Sequence, residues 1–216
     1  MSGFFVLCNS CMGKLYLAPM HPLRTYIQRF VPLTDAEWAP LAAGLQVRHL
    51  ARRELFVTQG QPSTDLCLLL SGACRLYYTR PDGEEKTTYF FFENHLMGSY
   101  QSCLTGQPSA FSIEALAPTE LLVFPYPLLR SLYDTWPTYE RFGRLLAEYH
   151  LLGTDARLAE LLLLSPEQRY LALLRSHKSK IMERIPQHYI ASYLGVTPVS
   201  LSRIRARLTV GDSRIS

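Results

Sequence analysis

No stretch of this sequence is a long hydrophobic run. The apolar segments all stay below the about 18 residues that a membrane-spanning helix needs, so we expect no transmembrane helix. The short apolar patch at residues 4–7 lacks a basic leader, which argues against a secretory signal peptide. Cysteine is scarce and odd in number, at five, which favours reduced thiols in the cytoplasm over a disulfide framework. No His-X-His pair occurs and the six histidines are scattered, so the sequence predicts neither an enzyme of the cupin type nor a bound metal or cofactor.

Charge is small overall but uneven along the chain. The 216 residues carry a formal net charge of +4. Residues 165–216 contain nine Lys/Arg against three Asp/Glu, a net charge of +6, which leaves the rest of the chain at −2. A basic C-terminal part on a nearly neutral body predicts a nucleic-acid partner for that part.

Residues 186–208 have the pattern of two short amphipathic helices around a tight turn. Gly195 stands where the first helix ends and the turn needs a positive φ. Thr197 is suited to cap the second helix, and Pro198 to occupy its first turn. The pattern predicts a helix-turn-helix. The apolar side chains that would hold its helices together are those of Ile190, Ala191, Leu194, Leu201 and Ile204.

The outward face of the second helix carries arginine and hydroxyl groups, which suit the major groove of DNA. Arginine can bond a guanine edge through two hydrogen bonds, and serine reaches phosphates or bases. An ordinary helical hairpin with a solvated basic face is the alternative. The candidate DNA contacts are Thr197, Val199, Ser200, Ser202, Arg203, Arg205 and Arg207.

The body of the chain changes from helical to strand-like patterns. Residues 1–19 show no periodicity, and we expect the folded part to begin near Met20. A short amphipathic helix in residues 23–31 precedes a second one that starts at a Thr34–Glu37 capping box. Seven short apolar segments separated by turn signals then predict a sandwich, jelly roll or barrel. These segments are residues 46–50, 54–58, 66–70, 73–79, 85–92, 110–116 and 120–125.

From residue 138 a helical period returns and keeps a heptad spacing for about three heptads. Such a seam predicts that the helix pairs with a second copy of the chain, with burial inside one subunit as the alternative. Another helix begins at Ser165, and residues 177–184 have the composition of a basic linker. The seam residues are Phe142, Leu145, Tyr149, Leu152, Ala156, Ala159 and Leu163.

Three stretches resemble the Crp/Fnr superfamily of bacterial transcription regulators: IPQHYIASYLGVTPVSLSRIRARL, FFFENHLMGSYQSCLTGQPSAFSIEAL and LLSGACRLYYTRPDGEEKTTYFF. The resemblance implies an α+β chain with an N-terminal β-roll of the cyclic nucleotide-binding type, a long dimerisation helix and a C-terminal helix-turn-helix of the winged-helix type. Little or no wing is expected, since only eight residues follow Leu208. The expected divisions are an extension at 1–19, a sensor domain at 20–136, a dimer helix at 137–164 and a DNA-binding domain at 165–216.

The resemblance also implies a homodimer that reads an inverted repeat in double-stranded DNA, contacts RNA polymerase and answers to a small-molecule effector. Arg203 falls where family members place their deepest base-reading arginine, whereas Val199 replaces a common acid. The cyclic-AMP-binding members carry Gly-Glu and Arg-Ser pairs where this chain has Gly98-Ser99 and Ser109-Ala110. Because both charges are missing, we expect no tight cyclic-AMP binding and keep these four residues only as pocket candidates.

Two alternatives remain open for the function. One is an effector-binding or interaction module that does not bind DNA. The other is a redox or iron–sulfur sensor, because Cys8 and Cys11 have metal-ligand spacing and resemble two of the cluster cysteines of some family members. The roll position of the last cluster ligand holds Leu122 instead, and Cys103 lies elsewhere.

Overall fold

The computed structural model describes residues 21–212, apart from the side chains of 176–179 and 209–212. The expected extension at 1–19, with Cys8 and Cys11, lies outside these residues. Within them the chain forms eight helices and eight strands. The helices are α1 (Pro22–Ile27), α2 (Asp35–Ala43), α3 (Tyr100–Thr105), α4 (Tyr126–Thr135), α5 (Pro137–Leu163), α6 (Pro166–Arg184), α7 (Gln187–Leu194) and α8 (Pro198–Asp212). The strands are β1 (Gln46–Leu50), β2 (Leu55–Val57), β3 (Asp65–Ser71), β4 (Cys74–Thr79), β5 (Glu85–Phe91), β6 (Leu96–Gly98), β7 (Ser112–Ala115) and β8 (Thr119–Pro125).

The strands form two antiparallel four-stranded sheets, ordered β1-β8-β3-β6 and β2-β7-β4-β5. Their inner faces pack together, as expected of a β-roll, and all seven predicted strand segments are confirmed. The sequence pattern did not indicate β6, α3 or α4. The inner core is formed by Leu50, Val57, Cys67, Leu69, Ile113 and Leu121, among others.

The N-terminal helices cover one end of the roll and bind α5. The predicted capping box is present: the Glu37 N–H donates to Thr34 Oγ1 at 3.3 Å, and the Thr34 N–H donates to Glu37 Oε2 at 2.8 Å. The Glu37 carboxylate also accepts from Thr138 Oγ1 at 2.5 Å, and its carbonyl accepts from Tyr139 Oη at 3.0 Å. These bonds hold the start of α5 on the roll.

The long helix α5 is buried in its first half and open in its second. Phe142 is buried and Leu145 half-buried, whereas the five seam residues from Tyr149 to Leu163 are exposed. A single subunit therefore leaves most of the predicted heptad seam uncovered.

Helix α6 corrects the linker prediction, because residues 177–184 continue this helix to Arg184. Basic composition was misleading there: no Gly or Pro interrupts residues 167–185, and Ile181 is fully buried. The helix begins with a second capping box, between Ser165 and Gln168. It ends at Arg184. Ile185, the residue before Pro186, has extended backbone, because residues ahead of a proline avoid helical backbone.

Candidate nucleic-acid interface

The turn between α7 and α8 has the expected geometry. Gly195 adopts φ +70°, a left-handed conformation that strains residues with a Cβ. The N–H of Val196 donates to the carbonyl of Ala191 at 3.0 Å, which closes the end of α7. Ala191 is 1% exposed, so its small side chain permits the close crossing of the two helices.

The start of α8 is fixed by Thr197. Its Oγ1 accepts from the N–H of Ser200 at 3.1 Å and donates to Ser200 Oγ at 3.0 Å. One of the backbone N–H groups that have no partner within the first turn of a helix thereby gains a hydrogen bond. On the inner side of α8, Leu201 and Ile204 are buried against the apolar residues of α7. The rotation of α8 is set by this packing.

The candidate DNA contacts do not all lie on the same open surface. Val199, Ser202 and Arg203 are exposed, whereas Arg205 is half-buried. Arg207 turns back towards α6, where its Nη2 lies 3.1 Å from a carboxylate oxygen of Glu167. The open outward face is therefore formed by Val199, Ser202 and Arg203, with Thr197 and Ser200 at the capped end.

The four pocket candidates differ in burial and in hydrogen bonding. Ser99 is fully buried and its Oγ has no hydrogen-bond partner among the described atoms. Ser109 is also buried, but its hydroxyl donates to the carbonyl of Phe111 at 2.9 Å. Ala110 is exposed. Gly98 lies against β3, where an added Cβ would come within 2.9 Å of the Asp65 carbonyl oxygen.

A cleft of about 150 Å³ that the sequence did not reveal lies between the roll, α5, α6 and α7. Arg157 of α5 crosses it, with its guanidinium 3.6 Å from the centre of the Tyr193 ring and Nη2 donating to the Tyr193 carbonyl at 2.5 Å. Its Nη1 also bonds Glu160 at 3.0 Å. Phe90 and Phe92 line the other side. In the sequence these aromatic residues had only the signature of a strand, so no pattern indicated the cleft.

Of the described cysteines, Cys67 and Cys74 are buried and Cys103 is half-buried. Burial raises the pKa of Cys67 well above its ordinary value, that of Cys74 to about 12 and that of Cys103 to about 11. Thiols with such pKa values are protonated and unreactive near neutral pH. Among the side chains that the structure describes, no three His, Cys, Asp or Glu residues are grouped to hold a metal ion. No helix of the described residues is both long and apolar enough to cross a membrane.

Comparison with known proteins identifies the roll. Residues 47–135 match the family of cyclic nucleotide-binding domains. A search of curated protein sequences finds no significant match.

Solved structures extend the likeness to the rest of the chain. FixK2 from Bradyrhizobium japonicum is 16% identical, with a TM-score of 0.70 over 78% of this chain and 86% of its own. The c-di-GMP-responsive regulator CLP from Xanthomonas campestris is 17% identical, with a TM-score of 0.64 over 83% and 93%. A candidate transcriptional regulator of the crp/fnr family from Eubacterium rectale is 18% identical, with a TM-score of 0.65 over 83% and 85%. At these identities the likeness is one of fold. Residues 47–135 thus match the cyclic nucleotide-binding domain family, and most of the chain has a fold similar to those of solved Crp/Fnr-type transcription regulators.

Proposed function

We propose that this protein is a homodimeric, sequence-specific DNA-binding transcription regulator. The observation that carries the proposal is the outward face of α8. Its inner side is locked by Leu201 and Ile204, which leaves Val199, Ser202 and Arg203 exposed on a helix of fixed rotation. A helix of this kind fits the major groove, with its N-terminal residues at the base edges.

Within this face each side chain has a role set by its chemistry. Arg203 would carry the main base contact, because a guanidinium can bond both acceptors of a guanine edge. Ser200 and Ser202 would assist, and the methyl groups of Val199 would contact a thymine methyl. Thr197 and Arg205 would mainly meet phosphates. Arg207 would do so only after exchanging Glu167 for a phosphate, because the two are ion-paired here.

Dimerisation would take place through α5. Tyr149, Leu152 and Leu163 on the seam are 59%, 69% and 79% exposed, a large apolar surface for one subunit. A second exposed stripe of Leu151, Leu158 and Leu162 lies about 100° around the helix from Leu152, by the turn angle of an α-helix. The seam fits a two-fold partner helix better, because its spacing alternates three and four residues over its whole length.

The roll would sense a molecule other than cyclic AMP. The segment from Gly98 to Ser112 contains no charged residue. A cyclic phosphate placed there would lose its hydration without gaining a counter-charge from this segment, which is unfavourable. We propose an unidentified small-molecule effector, and contact with RNA polymerase for a bound dimer. The protein is proposed to act in the cytoplasm and to catalyse no reaction.

A module that no longer binds DNA is the second candidate, favoured by one observation: Val199 stands where an acid is common in related regulators. An iron–sulfur or redox sensor would rely on Cys8 and Cys11, since the described cysteines are buried or half-buried with raised pKa values.

Fluorescence anisotropy tests the proposal directly. The duplex upstream of the protein's own gene is compared with a scrambled duplex over a salt series, for wild type, Arg203→Ala and Arg207→Ala. We expect wild type to prefer the native duplex, and Arg203→Ala to lose that preference while keeping its salt slope. Arg207→Ala is the matched control. It should weaken binding to both duplexes alike and reduce the salt slope. Absence of binding by wild type at low salt would contradict the proposal.

A further inference from the structure

The first helix of the helix-turn-helix makes contacts on two sides, one buried and one half-buried. One side packs on α8 through Ile190, Ala191 and Leu194. The opposite side carries Tyr189, Ser192 and Tyr193, and it lies on the roll against β5. A DNA-binding helix pair needs only the first of these contacts to fold. The second contact therefore calls for a separate explanation.

At the centre of the contact lies a buried arginine of the roll. Arg75 on β4 is 2% exposed. Its Nε donates to Glu114 Oε2 on β7 at 2.9 Å, its Nη2 donates to the same oxygen at 2.6 Å, and it also bonds Glu85. Nη1 donates to Thr87 Oγ1 at 3.3 Å. Two carboxylates thus hold one guanidinium rigidly in place at the surface of the sheet.

The flat faces of this guanidinium meet aromatic rings from both domains. Its central carbon lies 4.0 Å from the ring centre of Tyr77 on β4 and 3.9 Å from that of Tyr189 on α7. A desolvated cation over an aromatic face is attracted by the ring quadrupole. Tyr189 is therefore bound by a group that the roll itself has fixed.

A second polar contact ties α7 to the edge of the same sheet. The hydroxyl of Ser192 donates to the Glu85 carbonyl at 2.9 Å and accepts from the Thr87 N–H at 3.0 Å. Helix α7 thereby satisfies two main-chain groups that an edge strand would otherwise leave to solvent. Both contacts involve residues 85–87, so a shift of this part of β5 would be passed to α7.

We propose that Arg75, Glu114 and Tyr189, with Ser192 beside them, form a latch that fixes the orientation of the DNA-binding helices on the β-roll. Its regulatory meaning rests on the proposed DNA-binding function. The latch does not cover the recognition face, because Val199 and Arg203 are exposed while it is closed. It sets the direction in which that face points, and hence the spacing of the two recognition helices in a dimer. A molecule that moves β4 or β5 would change that spacing through Arg75.

Hydrogen exchange on the full-length chain tests the latch without DNA. Tyr189→Leu removes the ring but keeps an apolar side chain, and we expect exchange in residues 187–194 and 85–91 to rise about tenfold. Tyr189→Phe keeps the ring over Arg75 and should match wild type. Ser192→Ala should raise exchange in the same two segments, whereas the exposed hydroxyl removed by Ser202→Ala serves as its matched control. Wild-type exchange in both Tyr189→Leu and Ser192→Ala would overturn the latch, as would equal effects of Tyr189→Leu and Tyr189→Phe.

A double-mutant cycle and a spacing assay complete the test. If Tyr189 acts through Arg75, then adding Tyr189→Leu to Arg75→Met should raise hydrogen exchange in these segments little further. Full additivity of the two effects on exchange would overturn the proposal. On inverted repeats whose half-sites are separated correctly or by two further base pairs, Tyr189→Leu should lose most of the wild-type preference for the correct spacing. Retention of that preference would contradict the orienting role. If wild type binds no DNA, the proposed function fails while the exchange data still decide whether the latch exists.

Discussion

Replacing Leu152 by alanine should separate the protein into monomers. Leu152 is 69% exposed in one subunit and lies in the middle of the heptad seam on α5. The substitution removes three carbon atoms, which is worth about 2.4 kcal/mol for a fully buried side chain at about 0.8 kcal/mol per carbon. Scaled by the exposed fraction, each subunit loses about 1.7 kcal/mol of dimer stabilisation. A two-fold dimer loses this twice, about 3 kcal/mol in all, which weakens the dimer on the order of 200-fold.

Sedimentation equilibrium over a dilution series measures the dimer dissociation constant of each variant. The neighbouring Leu151→Ala is the matched control, since Leu151 is 60% exposed but points away from the seam. We expect it to change the dissociation constant only slightly. A strong effect of Leu151→Ala together with a weak effect of Leu152→Ala would move the dimer contact to the second leucine stripe. A wild-type protein that stays monomeric at all concentrations would refute the pairing of α5 altogether.

Three further predictions concern stability, and each follows from a single site. Gly153→Ala should raise the free energy of unfolding by about 1 kcal/mol through helix propensity, because its Cβ would meet nothing within 4 Å. Gly143→Ala should lower the free energy of unfolding by about 1–3 kcal/mol, because the added Cβ would come within 2.6 Å of Tyr133 Oη. Urea denaturation followed by circular dichroism checks both glycine predictions. Glu93 has its pKa lowered to about 2, chiefly by a hydrogen bond from Arg184 on α6. The ion pair with Arg184 therefore stabilises the folded state fully above pH 4.5, and this stabilisation is lost as the pH falls towards 2. In the same denaturation assay, Glu93→Gln should lower the free energy of unfolding by about 1 kcal/mol near pH 7 and leave it unchanged near pH 2.

The sequence predicted best the elements whose structure is specified by residues close together in the chain. The Thr34–Glu37 capping box, the Gly195 turn and the Thr197 cap are each specified within four residues, and all three are present. The strands of the roll are bounded by turns that contain Gly or Pro, so the positions of the strands could be predicted. The errors in helix prediction at α4 and α6 have different causes.

Helix α4 was missed although Tyr126, Leu129 and Leu132 repeat every third residue and are buried. A proline stands at the second position of this helix, where a first turn tolerates it, so the residues are compatible with a helix. The linker expected at 177–184 was inferred from charge, and charge says nothing about backbone conformation when no Gly or Pro intervenes.

The latch could not have been found from local pattern. An arginine in an alternating strand such as β4 has the signature of an outward, solvated residue. The ion-pair partner of Arg75, Glu114, lies 39 positions further along the chain, and the ring of Tyr189 comes from another domain. Arg75 is 2% exposed, and its contacts with Glu114 and Tyr189 exist only once the chain has folded. Interfaces between domains are thus the part of this molecule that sequence periodicity describes least.

Selection of binding sites from a pool of random duplexes tests the central claim most directly. Wild type and Arg203→Ala are each carried through repeated rounds of selection, and the enriched sequences are compared. We expect wild type to enrich an inverted repeat with half-site centres about 10 base pairs apart, and Arg203→Ala to lose its preference at one guanine in each half-site. Failure of wild type to enrich any sequence, or enrichment of the same repeat by Arg203→Ala, would contradict it.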